Sequence, residues 1–179
     1  MNAVVFDLLS NGPGHSPNTE PLLALAALRL REGAIVASFE TLIQAPRPWP
    51  NWLRESDLRQ AALLPEALAA FSAFVGDDLL VAESAATLKL PFLHEATARH
   101  GLPTRTVRVL DLDDLVRALP LEQRWRTWFQ WRAEARLQPG LTPLAGDLHR
   151  TTQSLSQALQ HHGGVAWLQG LPTCTGWLV

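Results

Sequence analysis

Residues 3–9 read AVVFDLL, a short apolar run with β-branched residues near its start and one acid, Asp7, toward its end. A run of this kind predicts a buried strand. The pattern stops at Ser10-Asn11-Gly12-Pro13-Gly14, which is a strong loop signal. The chain is therefore predicted to begin with a core strand that carries an acid close to its end.

Further strands and helices follow this first strand. The turn at residues 31–33 separates two apolar runs, which favours a hairpin. Predicted strands cover residues 3–9, 22–30, 35–43, 79–82 and 107–110, and predicted helices cover residues 65–75, 92–100, 111–119, 124–137 and 148–160. This order predicts an α/β protein with a mixed five-stranded sheet flanked by helices. The apolar tail, residues 163–179, is expected to add an edge strand or to pack on the core.

Composition limits the class of protein. The 179 residues are 47% hydrophobic and 18% charged, which predicts one globular domain over residues 1–179. The net charge of −2 gives no global attraction to nucleic acid or anionic membrane. Cys174 is the sole cysteine, which excludes an intramolecular disulfide and argues against a cysteine-based zinc site. Neither a signal peptide nor an apolar run of membrane-spanning length is evident, so a cytoplasmic protein is expected.

Several short pieces of the chain resemble, in order and spacing, motifs of the DEDDh 3′→5′ exonucleases, the DnaQ-like class that includes the epsilon subunit of DNA polymerase III. The pieces are Val4-Val5-Phe6-Asp7, Phe39-Glu40-Thr41-Leu42-Ile43, Leu80-Val81-Ala82 with Leu90-Pro91-Phe92-Leu93, His100-Gly101-Leu102-Pro103, Val109-Leu110-Asp111 and Leu148-His149-Arg150. The likeness covers residues 3–160. It implies a ribonuclease H-like fold.

The resemblance also implies a chemistry that this chain is poorly equipped to perform. The family reaction uses two divalent cations about 3.5–4 Å apart, Mg²⁺ or Mn²⁺, held by four acids, with a histidine as general base. Asp7 matches the first acid and His149 matches the base. Leu9 and Ser154 stand where two other acids are expected. The remaining acid aligns with Leu88 or Lys89, because the spacing suggests one inserted residue.

The loss of these acids leaves Asp7 as the one family carboxylate, which cannot organise two metal ions. A lysine at position 89 would also repel cations. Other acids could rebuild a site, and the candidates are Glu83, Asp111 and Asp147. Simpler interpretations are stronger: Asp111 and Asp147 suit helix N-caps, and Glu83 suits a solvated loop.

Two surviving family residues have similarly simple interpretations. Asp7 suits an acceptor for the loop amides that follow its strand. His149, near a helix start and without partner acids, suits a polar surface position.

The predicted helix at residues 124–137 carries a possible nucleic-acid surface. Trp128 lies there with Arg126 and Arg132, and such side chains suit stacking on single-stranded bases and pairing with phosphate. The same pattern suits a helix whose tryptophans pack in the core while the arginine stems reach outward. The core interpretation is favoured.

The leading hypothesis is an exonuclease-fold protein that has lost metal-dependent activity and serves as a binding module. Its partner would be single-stranded nucleic acid or a replication or repair protein, and no cofactor is expected. One alternative is an active 3′→5′ exonuclease with a rearranged metal site, using Mg²⁺ or Mn²⁺ with Asp7 as a ligand. Another is a protein-interaction domain without nucleic-acid affinity, suggested by the mild acidity and by Trp49 and Trp52 in a proline-rich loop.

Overall fold

The computed structural model describes residues 2–10, 17, 20–46, 49, 53–118, 143–161, 168 and 170–179. Within these residues a mixed six-stranded sheet forms. Its strands are β1 (Asn2–Ser10), β2 (Leu22–Arg31), β3 (Ala34–Leu42), β4 (Leu79–Ala82), β5 (Arg105–Asp111) and β6 (Cys174–Leu178). They lie in the order β3-β2-β1-β4-β5-β6. β4 pairs in parallel with β1 and β5, whereas the other neighbouring strands are antiparallel.

Helices connect and cover the strands. They are α1 (Glu55–Arg59), α2 (Leu64–Val75), α3 (Leu90–Arg99), α4 (Leu112–Ala118) and α5 (Pro143–His161). A π-helical turn at Ala85–Lys89 runs directly into α3. The five predicted strands are confirmed, and so is the hairpin formed by β2 and β3. The predicted helix at residues 124–137 lies outside the described residues.

The two faces of β1 enter two different cores, because successive side chains of a strand point to opposite faces. Val4 and Phe6 join a cluster that contains residues of α2 and α3. Ala3 and Val5 join a cluster that contains residues of α4 and α5. This alternation continues beyond Phe6. Asp7 and Leu9 therefore lie on the sheet face that α5 covers, and Leu9 packs against the α5-side cluster.

The C-terminal tail supplies one strand more than the five predicted. β6 pairs with β5 from Arg105↔Leu178 to Val109↔Cys174, so the predicted edge strand is confirmed. It fits tightly because it has no side chain at Gly176. A Cβ atom there would lie 2.7 Å from Leu90 Cδ2 and 2.9 Å from Val109 Cγ2. Residues 174–178 are thus an integral part of the sheet.

In the described ranges, none of the helices combines the length and the apolar character needed to cross a membrane.

Candidate functional site

The candidate site begins with Asp7, near the end of β1. Its side chain is 24% exposed, and its neighbour across the ladder in β2 is Ala26. The Oδ1 atom accepts a hydrogen bond of 2.7 Å from the amide of Leu8. The loop amides at positions 11–14, which the sequence suggested as its partners, lie outside the described residues. Asp7 is thus a half-buried anion on the α5 side of the sheet.

Lys89 forms an ion pair with this anion. Its Nζ atom lies 2.8 Å from Asp7 Oδ1, and its side chain is only 9% exposed. The sequence left open whether Leu88 or Lys89 occupies the position of the family acid. Leu88 instead packs against the α2/α3 cluster, so Lys89 is the residue that reaches Asp7.

This ion pair neutralises the negative charge of Asp7 and disfavours the binding of a cation there. An ammonium group that leaves water needs a partner charge at close range, and Asp7 supplies it. A divalent cation at the same oxygen would have to displace Lys89 or accept its repulsion. The prediction that Lys89 opposes cation binding thus gains a definite geometry: the ammonium is in contact with the carboxylate.

A π-helical turn lies where the resemblance predicts one inserted residue. A π turn takes one residue more than an α-helical turn of the same kind, so it absorbs a single insertion within a helical segment. Here the turn spans Ala85–Lys89 and follows Ser84, which has a left-handed φ of 48°. On either side of the turn, β4 lies between β1 and β5 in the sheet, and α3 contributes residues to the core.

Asp111 supports this turn from the end of β5. Its side chain is buried, with a residue exposure of 6%. Oδ2 accepts from the amide of Ala86 at 3.0 Å, and Oδ1 accepts from the amide of Asp113 at 3.0 Å. The second bond caps α4, so the N-cap role predicted for Asp111 is confirmed. Sequence reasoning missed the first bond, because nothing in the local pattern joins residues 86 and 111.

Asp113 lies beside this clamp. The Ser84 hydroxyl donates to its Oδ2 at 3.4 Å. Burial raises the pKa of Asp113, and the neighbouring Asp111 carboxylate raises it further. The acids around the turn therefore bind backbone amides and a hydroxyl.

His149 lies in α5 and is buried, with 8% of its surface exposed. The prediction of a surface position is wrong, because α5 begins at Pro143, so His149 lies within the helix and its side chain is buried. Burial lowers the pKa of its imidazole, so the neutral form predominates near pH 7. Its Nδ1 has no hydrogen-bond partner within the described part of the chain.

Leu9 and Ser154, where the resemblance predicts acids, carry no negative charge. Leu9 packs in apolar surroundings between the α5-side cluster and a small cluster around Leu23. Ser154 is fully buried, and its hydroxyl donates to the carbonyl of Arg150 at 2.9 Å. Neither side chain supplies the carboxylate oxygen that a hard cation prefers.

The other candidate acids do not converge on Asp7 to rebuild a metal site. Asp147 lies on the exposed side of α5, where Arg150 Nη1 is 3.4 Å from its Oδ1. The predicted N-cap role of Asp147 is wrong, because α5 starts four residues earlier. Glu83 is half-buried and follows β4. Among the residues that the structure describes, no three acids, histidines or cysteines are grouped so that they could hold a metal ion.

The proposed nucleic-acid residues Arg126, Arg132 and Trp128 lie outside the described residues. Trp49, from the proline-rich loop, is half-buried against the small cluster around Leu23 and donates its indole N–H to the carbonyl of Ala45 at 3.0 Å. It therefore packs as core cover. Trp52 also lies outside the described residues.

Comparison with known proteins identifies the fold. No protein-family model and no curated protein sequence matches the chain. Among solved structures, a zinc-bound complex of E. coli exonuclease I with single-stranded DNA matches with a TM-score of 0.64 and 13% identity, over 94% of this chain and 44% of that one. Exonuclease X in complex with 5′-overhanging duplex DNA matches with a TM-score of 0.61 and 16% identity, over 92% and 95%.

A full-length 3′-exonuclease also matches, with a TM-score of 0.62 and 11% identity, over 89% of this chain and 82% of that one. The chain thus has the DnaQ-like exonuclease fold that its motifs predicted. It spans less than half the length of the exonuclease I structure. At these identities the likeness shows the fold alone.

Proposed function

We propose that this exonuclease-fold protein lacks metal-dependent nuclease activity and acts as a binding module for single-stranded nucleic acid. One observation carries the first part: the Lys89 ammonium lies 2.8 Å from the Asp7 carboxylate. The ion pair occupies the side chain that a catalytic metal ion would need. It also satisfies the charge of that side chain without any metal.

Charge balance supports the same conclusion. The family resemblance implies four carboxylates, whose mutual repulsion two divalent cations would offset. In this chain three of the four acids are absent, and Lys89 neutralises the one that remains. A site with this net charge should attract Mg²⁺ or Mn²⁺ only weakly.

His149 does not restore the reaction. Its neutral imidazole could accept a proton, since burial lowers its pKa. The family reaction, however, also needs cations that activate the attacking water and stabilise the leaving oxygen. The described acids do not supply ligands for such a pair.

A nuclease assay tests the loss of activity. The substrates are end-labelled single-stranded DNA and RNA, with Mg²⁺, Mn²⁺ or a chelator. We expect no metal-dependent shortening of either strand above the level seen with chelator. Robust degradation that Asp7→Ala abolishes would overturn the proposal and establish an active enzyme with a rearranged site.

The binding role draws support from the relatives, since exonuclease I and exonuclease X are seen in complexes with DNA. Fluorescence anisotropy with short labelled single strands tests it. We expect affinity that falls steeply with salt, because phosphate contacts release counterions. The double variant Arg126→Ala/Arg132→Ala should weaken binding. Arg31→Ala/Arg108→Ala is the matched control, with the same charge change at exposed positions of the sheet.

A different result would redirect the binding role. Absence of binding at low salt, or binding that salt leaves unchanged, would contradict recognition of nucleic acid. The alternative of a protein-interaction domain without nucleic-acid affinity would then be favoured.

A further inference from the structure

The connection between β4 and α3 has an unfavourable backbone. Ser84 takes a left-handed conformation with φ 48°, which residues with a Cβ atom adopt at a cost. The five residues that follow form a π turn, a rare structure that persists where its surroundings support it. Contacts from outside this segment are therefore needed to define the position of its last residue, Lys89.

One such contact comes from Asp111, which lies outside the segment. Its Oδ2 accepts from the Ala86 amide at 3.0 Å, in the first turn, where a helix leaves its own amides unpaired. Its Oδ1 is bound to the Asp113 amide at the start of α4. The carboxylate thus joins the end of β5 and the start of α4 to the π turn. Because Asp111 is only 6% exposed, water has limited access to replace this contact.

The position of the Lys89 ammonium depends on the path that the backbone takes through this turn. Its side chain has many rotamers and an ammonium that water solvates strongly. Its side chain is 9% exposed and its Nζ lies 2.8 Å from Asp7 Oδ1, and the turn sets the backbone position from which the side chain extends. If the turn opened, the ammonium would regain water and rotamer freedom.

We propose that Asp111 is a positioning residue: its buried carboxylate clamps the π turn and thereby holds the Lys89 ammonium on Asp7. The inference goes beyond the proposed function, since it concerns how the ion pair is maintained and not what the protein binds. A nuclease assay cannot test it, and its failure would leave the proposed function untouched.

Lys89 is the sole lysine of the chain, so covalent labelling of amines gives a site-specific measurement. The full chain is treated with an acylating ester under native conditions. Mass spectrometry of peptides then separates the Lys89 product from that of the terminal amine. The rate of acylation reports how often the ammonium leaves Asp7.

Two variants break the clamp from opposite ends. Asp111→Asn keeps one oxygen that can cap α4 but turns an N–H group toward another N–H group. Ala86→Pro removes the donated amide and leaves the Asp111 cap intact. Asp114→Asn and Ala86→Ser are the matched controls, because Asp114 forms an exposed pair with Arg117 and serine keeps the amide.

We expect both clamp variants to acylate Lys89 at least about tenfold faster than the wild-type chain, since a hydrogen bond to a charged group is lost. The controls should label at the wild-type rate. In an Asp7→Asn background, Asp111→Asn should add little, because Lys89 is already released.

Wild-type labelling rates in folded clamp variants would overturn the proposal. It would also fail if labelling rose only above the unfolding midpoint, measured by circular dichroism. Asp111 would then support the fold as a whole and have no particular effect on Lys89.

Discussion

At the scale of single residues, the Lys89 ammonium is tolerated in the interior because the Asp7 carboxylate lies 2.8 Å away. Asp7 is the more exposed of the two, at 24% against 9%. Loss of Asp7 therefore leaves the more deeply buried charge without its partner. Loss of Lys89 leaves a carboxylate that water can reach and that the Leu8 amide still contacts.

This asymmetry predicts different costs for the two halves of the pair. Asp7→Asn should lower the free energy of unfolding by about 2–3 kcal/mol, and Lys89→Met by about 1 kcal/mol. The double variant should be more stable than the sum of the two losses predicts, because no charge remains unpaired. Urea unfolding of the four proteins measures this coupling. Additive losses would show that the two charges do not interact.

His149 predicts a dependence of stability on pH. Burial lowers its folded-state pKa below the ordinary value of 6.5, so the unfolded chain binds a proton more readily. The stability that neutral His149 contributes is fully present above about pH 6.5 and is lost as the pH falls through the folded-state value. His149→Gln should therefore flatten the stability profile below pH 6.5. Urea unfolding at a series of pH values measures it, and equal slopes for the two proteins would contradict the assignment.

At the scale of elements, some strands and helices follow from the local sequence pattern, whereas other features depend on tertiary contacts. Continuous apolar runs were enough to predict β1 and β4, because a strand buried on both faces has that composition. The apolar spacing predicts that α5 starts at Leu148 with Asp147 as its cap, whereas the helix begins at Pro143, a residue type that suits a first helical position. The π turn has no local signature, and only the spacing to Lys89 indicated an extra residue.

The sequence predicts which residue types stand at the candidate site, but it does not predict how those residues meet. Aligning Leu9, Lys89 and Ser154 with the family acids needed only their order along the chain. The ion pair joins residues 7 and 89, and the clamp joins residues 86 and 111. Such contacts arise from strand order and from the course of a turn, which local periodicity does not encode.

The edge strand β6 gives a prediction at this scale. Gly176→Val should lower the free energy of unfolding by about 1–3 kcal/mol, because added carbon atoms would meet Leu90 and Val109 in a packed region. Thr175→Val is the matched control, since its exposed neighbouring position has room for a β-branched side chain. Denaturant unfolding of both variants tests the packing. Equal stabilities would show that β6 does not lie against the core in this way.

At the scale of the whole molecule, we expect a stability that is independent of metal ions. A ligand raises the unfolding temperature only if it binds the folded state. Thermal unfolding of the wild-type chain should therefore be the same in chelator and in 10 mM Mg²⁺ or Mn²⁺. A clear rise with metal would contradict this prediction.

A variant with restored acids provides the positive control. Leu9→Glu/Lys89→Asp/Ser154→Asp should be less stable in chelator, because carboxylates then crowd around Asp7 without a counter-ion. Metal at about ten times its Kd should return on the order of 1.4 kcal/mol, or roughly 3–6 °C in Tm. Lack of any response would show that the scaffold no longer shapes a metal site.

The most direct measurement is a crystal structure of the wild-type protein grown or soaked in Mn²⁺, with anomalous scattering used to locate the metal. We expect Lys89 Nζ to remain in hydrogen-bond contact with Asp7 and no manganese peak to lie beside that carboxylate. A manganese ion bound to Asp7, with Lys89 displaced and further acids gathered around the metal, would contradict it.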